Sequence, residues 1–301
     1  MFQKAILFFT ATILSSSLLT AAEIDISTAE GVAKINRKIQ CSLVDNKPIT
    51  YYWYGNAFGR RLGMSDKLLF KVEGMNVRSC STVRDKSGNY GWKLVTREIL
   101  LYKDAKSGAV LRNWVNPYTN EKVEVMHVAN DPVNQPPQFG LDRQGKVAKF
   151  RGDFMDERWW STATIPLYYN NALGGDYQQY IGGTYRATEM FNFFGDIKSL
   201  LDADNDTADV QVGWVRHSDW LPWMKMAGRD GIIYMHSAGK KLKKWEDLSQ
   251  TMKNEIATNY PKYTTPPPAD DQRPNETSWT VFKKIMENRG GPEPIKKEFP
   301  H

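Results

Sequence analysis

The chain has 301 residues and carries 40 lysines and arginines against 34 aspartates and glutamates, a formal net charge of +6 at pH 7. This modest basic excess comes without a helix-turn-helix, zinc-finger or RNP-like motif, which argues against nucleic acid as a partner. The absence of G-x-G-x-x-G, P-loop, G-x-S-x-G and H-E-x-x-H motifs argues against nucleotide-dependent chemistry and the common serine or zinc hydrolases. We therefore expect no cofactor.

The N-terminal segment has the pattern of a cleavable export signal. Lys4 supplies a positively charged start, the stretch from Ala5 to Leu19 is apolar and uncharged, and small residues ending at Ala22 precede Glu23. This order is typical of signal peptides, and the apolar stretch is shorter than the roughly 20 residues that a membrane span needs. We predict a signal peptide over residues 1–22, no stable membrane anchor, and a soluble mature protein that is periplasmic or secreted. A retained anchor helix is the alternative.

Residues 23–292 are predicted to form a single β-rich domain, followed by a loose tail at 293–301. A helix is predicted over Ser27–Leu43, where a capping hydroxyl precedes apolar residues at helical spacing. About ten strand-like runs follow, each bounded by Asn, Asp, Gly or Pro, as in hairpins. The predicted strands are Ile49–Arg60, Leu68–Val77, Gly91–Tyr102, Val110–Val115, Lys122–Ala129, Gly145–Glu157, Trp159–Tyr169, Thr184–Phe194, Ala208–His217 and Gly231–Ser237. Two further helices are predicted over Lys244–Asn259 and Trp279–Asn288.

This order of elements indicates a mainly β fold. Many short runs with few helical interludes favour an antiparallel β-barrel-like or sandwich sheet, with flanking N- and C-terminal helices, over βαβ units. The alternation of polar and apolar residues fits a sheet with one solvated face. Between the two architectures we favour a barrel, because closure would remove the exposed strand edges.

The sequence contains two cysteines, Cys41 and Cys80. In an exported chain they can form a disulfide, because the compartment is oxidising. Two separate buried thiols are the alternative, since the sequence does not show whether the two Cα atoms come within bonding distance. Two cysteines alone are too few ligands for a zinc site.

Three predicted strands carry an ionisable side chain among apolar residues on one face, because residues two apart on a strand share a face. The three rows are Val123, Val125 and His127; Ile232, Tyr234 and His236; and Tyr185, Ala187, Glu189, Phe191 and Phe193. If these faces converge, His127, His236 and Glu189 line one pocket and provide a catalytic histidine-carboxylate pair. Core histidines bonded to backbone or tyrosine are the alternative. We expect no metal there, because no close-spaced ligand motif supports one.

The segment Trp214–Met226 combines three tryptophans, two methionines and a proline. It predicts either a lid over an apolar or ring-shaped ligand or a core plug that closes one end of the sheet, because pockets and cores use the same residues. The candidate ligand-binding residues are Trp214, Trp220, Trp223, Met224, Met226 and Tyr234.

Glu98 is a further ionisable residue on a predicted strand. It shares a face with Leu100 and Tyr102, whereas Arg97 points to the opposite face. Glu98 is either a buried acid or the partner of an arginine on a neighbouring strand, such as Arg112, and we favour the ion pair.

Five segments together resemble one known family. They are Val72–Arg78, Arg97–Tyr102, Val125–Asn134, Trp220–Met226 and His236–Leu242. They are similar to the bacterial and fungal family catalogued as domain of unknown function 1838, and the tryptophan-rich segment is the most specific of them. The resemblance implies one domain, and export in many members, but it brings no activity and no catalytic residue.

Three functions are compatible with these observations. The first is an exported protein that encloses a small, largely apolar or ring-shaped molecule. The second is a cofactor-independent isomerase, cyclase or hydrolase that uses a histidine-carboxylate pair. The third is an envelope component that binds another protein. The sequence leaves the ligand, the reaction and the oligomeric state open.

Overall fold

The computed structural model describes residues 22–293. The predicted signal peptide falls almost entirely on residues outside this range, and so does the predicted tail beyond residue 293. The described residues form one sheet of ten strands, a second sheet of two strands, and helices on both sides of the large sheet. The prediction of a mainly β, antiparallel fold with flanking helices is confirmed.

The strands are β1 (Ile49–Arg60), β2 (Lys67–Arg84), β3 (Tyr90–Asp104), β4 (Asn113–Val115), β5 (Lys122–Glu124), β6 (Val128–Asn130), β7 (Gln135–Phe139), β8 (Asp153–Met155), β9 (Arg158–Tyr169), β10 (Tyr185–Asp196), β11 (Gln211–Ser218) and β12 (Ile232–Lys241). The helices are α1 (Ala29–Gln40), α2 (Ile197–Leu201), α3 (Gln250–Asn259) and α4 (Ser278–Asn288). Thr28 caps α1 by accepting the N–H of Gly31 at 3.0 Å. Between residues 22 and 293, no helix is both long enough and apolar enough to cross a membrane.

The large sheet has two halves, one that contains β1, β2, β3 and β6 and one that contains β8 to β12, and they are joined by the pairing of β1 with β12. Its strand order is β6-β3-β2-β1-β12-β11-β10-β9-β8, and β7 also pairs with β3. The first and last strands of the chain, β1 and β12, are neighbours near the middle of the sheet, where Trp53 lies opposite Gly239. Residues far apart in the sequence therefore meet at the centre of the sheet.

The sheet is open, so the preference for a closed barrel is wrong. Its outermost strands are short, with three residues each in β6 and β8 and five in β7. Pro136 and Pro137 in β7 lack the amide hydrogens that pairing with a further strand would use. Short strands and prolines protect a sheet edge without closure, which removes the reason for expecting a barrel.

The middle of the chain contains less strand than the sequence predicts. Of the predicted strand Gly145–Glu157, only Asp153–Met155 forms a strand, and Val147 makes a single β-bridge to Leu141. Gly145 instead lies in a turn with a φ of 78°, and the carboxylate of Asp142 accepts the N–H groups of Gln144 and Lys146, both at 2.9 Å. These local hydrogen bonds compete with a strand ladder, so this stretch of the prediction is wrong.

On one side of the sheet, here called the outer face, α3 covers strands β2 and β3. Met252 and Ile256 of the helix pack against Met75 and Ile99 of the strands, and all four are fully or nearly fully buried. Burying a side chain of this size contributes about 1.5–3 kcal/mol. The part of the outer face under α3 is therefore a filled hydrophobic core.

The opposite side of the sheet, here called the cavity face, is covered at two separate places. Near one end, Ile39 of α1 packs in a cluster with Tyr51 of β1, whose hydroxyl donates to the carbonyl of Ile39. Near the other end, Trp279 of α4 packs on Tyr185 of β10, with ring centroids 4.0 Å apart. The two helices leave room between them, and a large cavity occupies this space.

A disulfide bond joins Cys41, which follows α1, to Cys80 on β2. The two Cα atoms are 5.9 Å apart, within the usual range for a disulfide. Both cysteines are buried, next to Trp92 and Leu94 of β3. The bond ties the N-terminal helix to the sheet beside the cavity.

Candidate functional site

The candidate site is a cavity of about 1000 Å³ on the cavity face of the sheet. Its lining comes from both halves of the sheet, from α1 and from the start of α4. A volume of this order is at the upper end of the range of small-molecule sites, which commonly bury ligands between a mainly apolar wall and a few polar groups. The cavity lining here likewise consists of an apolar, aromatic wall and a small number of charged side chains.

Aromatic rings form much of the wall. Trp53 and Trp214 lie with ring centroids 6.3 Å apart, and Phe191 and Phe193 stack at 5.9 Å. Gly74 is required behind Trp53, since a Cβ at this position would overlap the indole ring. Flat aromatic surfaces of this kind favour a ligand that contains a ring.

A charged pair occupies one side of the cavity. Arg216 on β11 donates from Nη1 to Glu189 on β10 at 2.6 Å and from Nη2 to the hydroxyl of Tyr185 at 2.8 Å. Burial lowers the pKa of Arg216, but Tyr185 and Glu189 together raise it by more than burial lowers it. The pKa of Arg216 is therefore raised overall. The guanidinium is therefore a permanent cation, and it holds the carboxylate of Glu189 in place.

Glu98 on β3 lies on the cavity face without such a partner. Its carboxyl accepts a hydrogen bond from Asn130 Nδ2 at 2.7 Å. Burial raises the pKa of Glu98, and the nearby charge of Glu189 raises it further. The expected pair with Arg112 is wrong, because Arg112 donates instead to Glu255 of α3 at 2.6 Å. Glu98 is thus the buried acid that was the alternative interpretation, and it retains its proton to a higher pH than a free glutamic acid.

Arg78 on β2 provides a second arginine in the cavity. Its Nε donates to Asn76 Oδ1 at 2.6 Å, and its Nη1 donates to Gln40 Oε1. The guanidinium also lies over the ring of Tyr51, 4.7 Å from the centroid. Burial lowers the pKa of Arg78, while Tyr51 and Glu98 oppose the shift.

His127 does not line the cavity. Its Nδ1 accepts the backbone N–H of Tyr102 at 3.1 Å, and its ring stacks on Tyr102 with centroids 6.1 Å apart. Burial lowers its pKa to about 4. His127 is therefore a neutral core histidine bonded to backbone, as in the alternative considered from the sequence.

His236 and Tyr234 lie on the outer face, because the cavity face of β12 carries the alternate residue Met235. His236 is exposed. Tyr234 stacks on Phe58 with centroids 5.1 Å apart and donates to Asp66 Oδ2 at 2.8 Å. The expected convergence of His127, His236 and Glu189 is therefore wrong. On β12, Met235 faces the cavity and His236 faces away from it. His127 packs against Tyr102 outside the cavity lining, so of the three residues only Glu189 lines the cavity.

The tryptophan-rich segment is divided between wall and core. Trp214 lines the cavity, whereas the other residues of this segment that are expected to bind ligand are buried in the hydrophobic core between the sheet and α4. These core residues are Trp220, Trp223, Met224 and Met226. Asn116 fixes this segment by donating from Nδ2 to the carbonyl of Met224 at 2.8 Å. Most of the segment is thus a core plug, although Trp220 and Met226 also border a smaller polar pocket of about 370 Å³.

Several cavity residues were not identified as site residues from the sequence, notably Arg78, Arg216 and Trp53. A local signal exists for Arg216, which is two residues from Trp214 and therefore shares its strand face. The same alternation relates Arg78 to Asn76. An arginine among apolar residues on one strand face indicates a candidate site residue. It does not show which strand faces border the same cavity.

These features define a class of protein: a mainly β protein whose open antiparallel sheet bounds a cavity with aromatic walls and buried charges. The chain belongs to the family described as protein of unknown function, DUF1838, whose model matches residues 46–286. The match confirms the resemblance seen in the five segments, and it includes all twelve strands named above. No curated protein matches the chain.

Proposed function

We propose that this protein binds a small organic molecule with a ring-shaped apolar body and at least one polar group in the cavity. The observation that carries the proposal is the cavity itself, which combines tryptophan and phenylalanine walls with Glu98, Glu189 and Arg216. Convergent polar groups in a mainly apolar pocket are the usual basis of small-molecule recognition. The sequence alone favoured a largely apolar ligand, and these charges now favour one that also carries polar groups.

Native mass spectrometry tests this proposal. The protein is purified without denaturation from cells that express it, and its mass is compared with that of a denatured sample. We expect an added organic mass that denaturation releases. Ala163 lies on the exposed strand β9 and lines the cavity, so Ala163→Phe should reduce the bound mass. His236→Phe, on the outer face, is the matched control and should keep it. A protein that stays bare in purified and extract-soaked samples alike would refute the proposal.

A second candidate function is a cofactor-independent acid-base reaction on the bound molecule. The specific observation is that Glu98 has a raised pKa while Glu189 is held by a permanent cation. A carboxyl with a raised pKa in the same site as an ion-paired carboxylate can supply an acid and a base. This assignment replaces the histidine-carboxylate pair, since neither His127 nor His236 lines the cavity.

The recovered ligand distinguishes binding from catalysis. It is incubated with the protein in D₂O and followed by NMR and mass spectrometry. Catalysis predicts deuterium incorporation or chemical change with the wild type and a large loss of either with Glu98→Gln. Unchanged ligand with both proteins would remove the catalytic candidate and leave binding alone.

We also propose that the protein works in the periplasm or is secreted. The N-terminal pattern of charge, apolar core and small residues supports export, and the Cys41–Cys80 disulfide is of the kind that persists in oxidising compartments. Cell fractionation followed by intact mass measurement tests this. Export predicts a mature N-terminus at Glu23 and two cysteines that resist alkylation until reduced. A full-length chain with free thiols in the cytoplasmic fraction would contradict it.

A further inference from the structure

Arg78 is a partly buried cation that lines the cavity without an ion-pair partner among the described residues. Its hydrogen-bond acceptors are the neutral amides of Asn76 and Gln40, and it forms no ion pair with a carboxylate of residues 22–293. Buried charges in proteins are normally paired, because an uncompensated one is costly. Arg216, which also lines the cavity, follows this rule, since it is paired with Glu189 at 2.6 Å.

The contacts of Arg78 leave one end of the guanidinium available to the cavity. Nε and Nη1 donate to Asn76 and Gln40, whereas Nη2 donates to no described residue. Arg78 lines the cavity, and its planar group is held over the ring of Tyr51. A guanidinium that is already oriented loses little freedom when it binds a planar carboxylate.

Glu98 is a sheet neighbour of Arg78. It is directly opposite Asn76, two residues from Arg78, in the pairing of β2 with β3, and both side chains line the cavity. Burial raises the pKa of Glu98, and in its protonated form this carboxyl is a hydrogen-bond donor. A second oxygen of a bound anion could accept that hydrogen bond.

We propose that the ring-containing ligand carries a carboxylate group, which binds to Nη2 of Arg78 beside Glu98. This inference rests on the proposed ligand-binding function and specifies the chemical class of the ligand. The aromatic wall of Trp53 and Trp214 receives the ring, and Arg78 receives the anion. Glu189 takes no part in binding the anion, since its own charge is compensated by Arg216.

The test compares two probes that share one ring system, 2-naphthoate and the neutral 2-naphthamide, by calorimetric titration of the full mature protein. A charge-assisted hydrogen bond of about 1.5–3 kcal/mol corresponds to a preference of roughly 10- to 100-fold for the acid. Arg78→Gln should abolish this preference while leaving the affinity for the amide nearly unchanged. Lys149→Gln is the matched control, because Lys149 also lines the cavity but is exposed to solvent, and it should alter the preference by less than about twofold.

Arg78→Lys guards against a folding defect, since it keeps the charge. It should retain part of the preference, because lysine cannot reproduce the planar fork of arginine. Equal binding of acid and amide by the wild type, or a preference that survives in Arg78→Gln, would overturn the inference and leave the proposed binding function intact. Failure of both probes to bind would instead count against the binding function, and the inference would fall with it.

Discussion

Glu98 and Glu189 face the same cavity although their strands, β3 and β10, are five places apart in the order of the sheet. Both side chains line the cavity. Their partners differ, since Asn130 donates to Glu98 whereas Arg216 donates to Glu189. The fold of the sheet thus brings a proton-retaining acid near an ion-paired one, and each has a distinct consequence for stability.

Glu98→Gln should stabilise the protein near neutral pH. The pKa of Glu98 is raised from its ordinary value of 4.5, so the folded protein holds this proton more tightly than the unfolded chain. That stabilisation is complete below about pH 4.5 and is lost as the pH rises through the folded-state pKa. Glutamine avoids the loss, so the free energy of unfolding of the variant should exceed that of the wild type at about pH 7.5. Urea denaturation should show a smaller difference in the free energy of unfolding between variant and wild type at about pH 4.5 than at about pH 7.5. An equal difference at both pH values would contradict the raised pKa of Glu98.

Glu189→Leu should destabilise the protein, because it leaves the cation of Arg216 buried without its partner. The side chains of the pair are 13% and 20% exposed, and breaking a pair at such depth costs about 3–5 kcal/mol. The double variant Glu189→Leu with Arg216→Met should recover most of this loss, since two apolar groups replace the pair. A double-mutant cycle by urea denaturation measures the coupling. Additive losses would show that the two residues act independently.

His127 should make the protein less stable as the pH falls below 6.5. Its pKa is lowered from 6.5 to about 4 by burial, so the unfolded chain binds a proton in this range that the folded protein excludes. Stability is therefore lost between about pH 6.5 and 4, by about 3 kcal/mol in total. His127→Asn keeps an acceptor for the N–H of Tyr102 and should flatten this part of the stability profile. The exposed His236→Asn should leave the profile unchanged, and a profile unaffected by either substitution would contradict the prediction.

Loss of the Cys41–Cys80 disulfide should lower stability because the bond closes a long loop in the unfolded chain. The cysteines are 39 residues apart in sequence, and closing a loop of that length corresponds to about 4 kcal/mol in the chain-entropy model. Thermal denaturation of the double variant Cys41→Ala with Cys80→Ala, beside reduced wild-type protein, measures the effect. The two samples should agree, and a melting temperature equal to that of the oxidised wild type would contradict the expectation.

Much of the secondary structure follows from local sequence. β1 spans Ile49–Arg60, as its aromatic and β-branched composition predicts, and α1 begins after the capping hydroxyl of Thr28. The row from Tyr185 to Phe193 also shares one face of β10, as alternation requires. Hydrogen bonds within the turn near Asp142 were the local feature that the strand prediction overlooked.

The candidate site was less predictable. Two of the predicted site residues, Glu189 and Trp214, line the cavity, and their roles remain predictions. The two histidines were misplaced, and Arg78 was not recognised as a site residue. Alternation tells which residues of one strand share a face, but it does not tell which of the two faces borders the cavity. For β12 that difference placed Met235 inside and His236 outside.

By itself, the sequence determined the positions of most strands and helices and the family to which the chain belongs. These depend on residue types and on neighbours a few positions away, which can be read along the chain. Only the tertiary structure decided that the sheet stays open, that β1 pairs with β12, and that Arg78, Glu98 and Glu189 share one cavity. Those relationships depend on long-range strand pairing and on how the helices cover the sheet, so no local pattern encodes them.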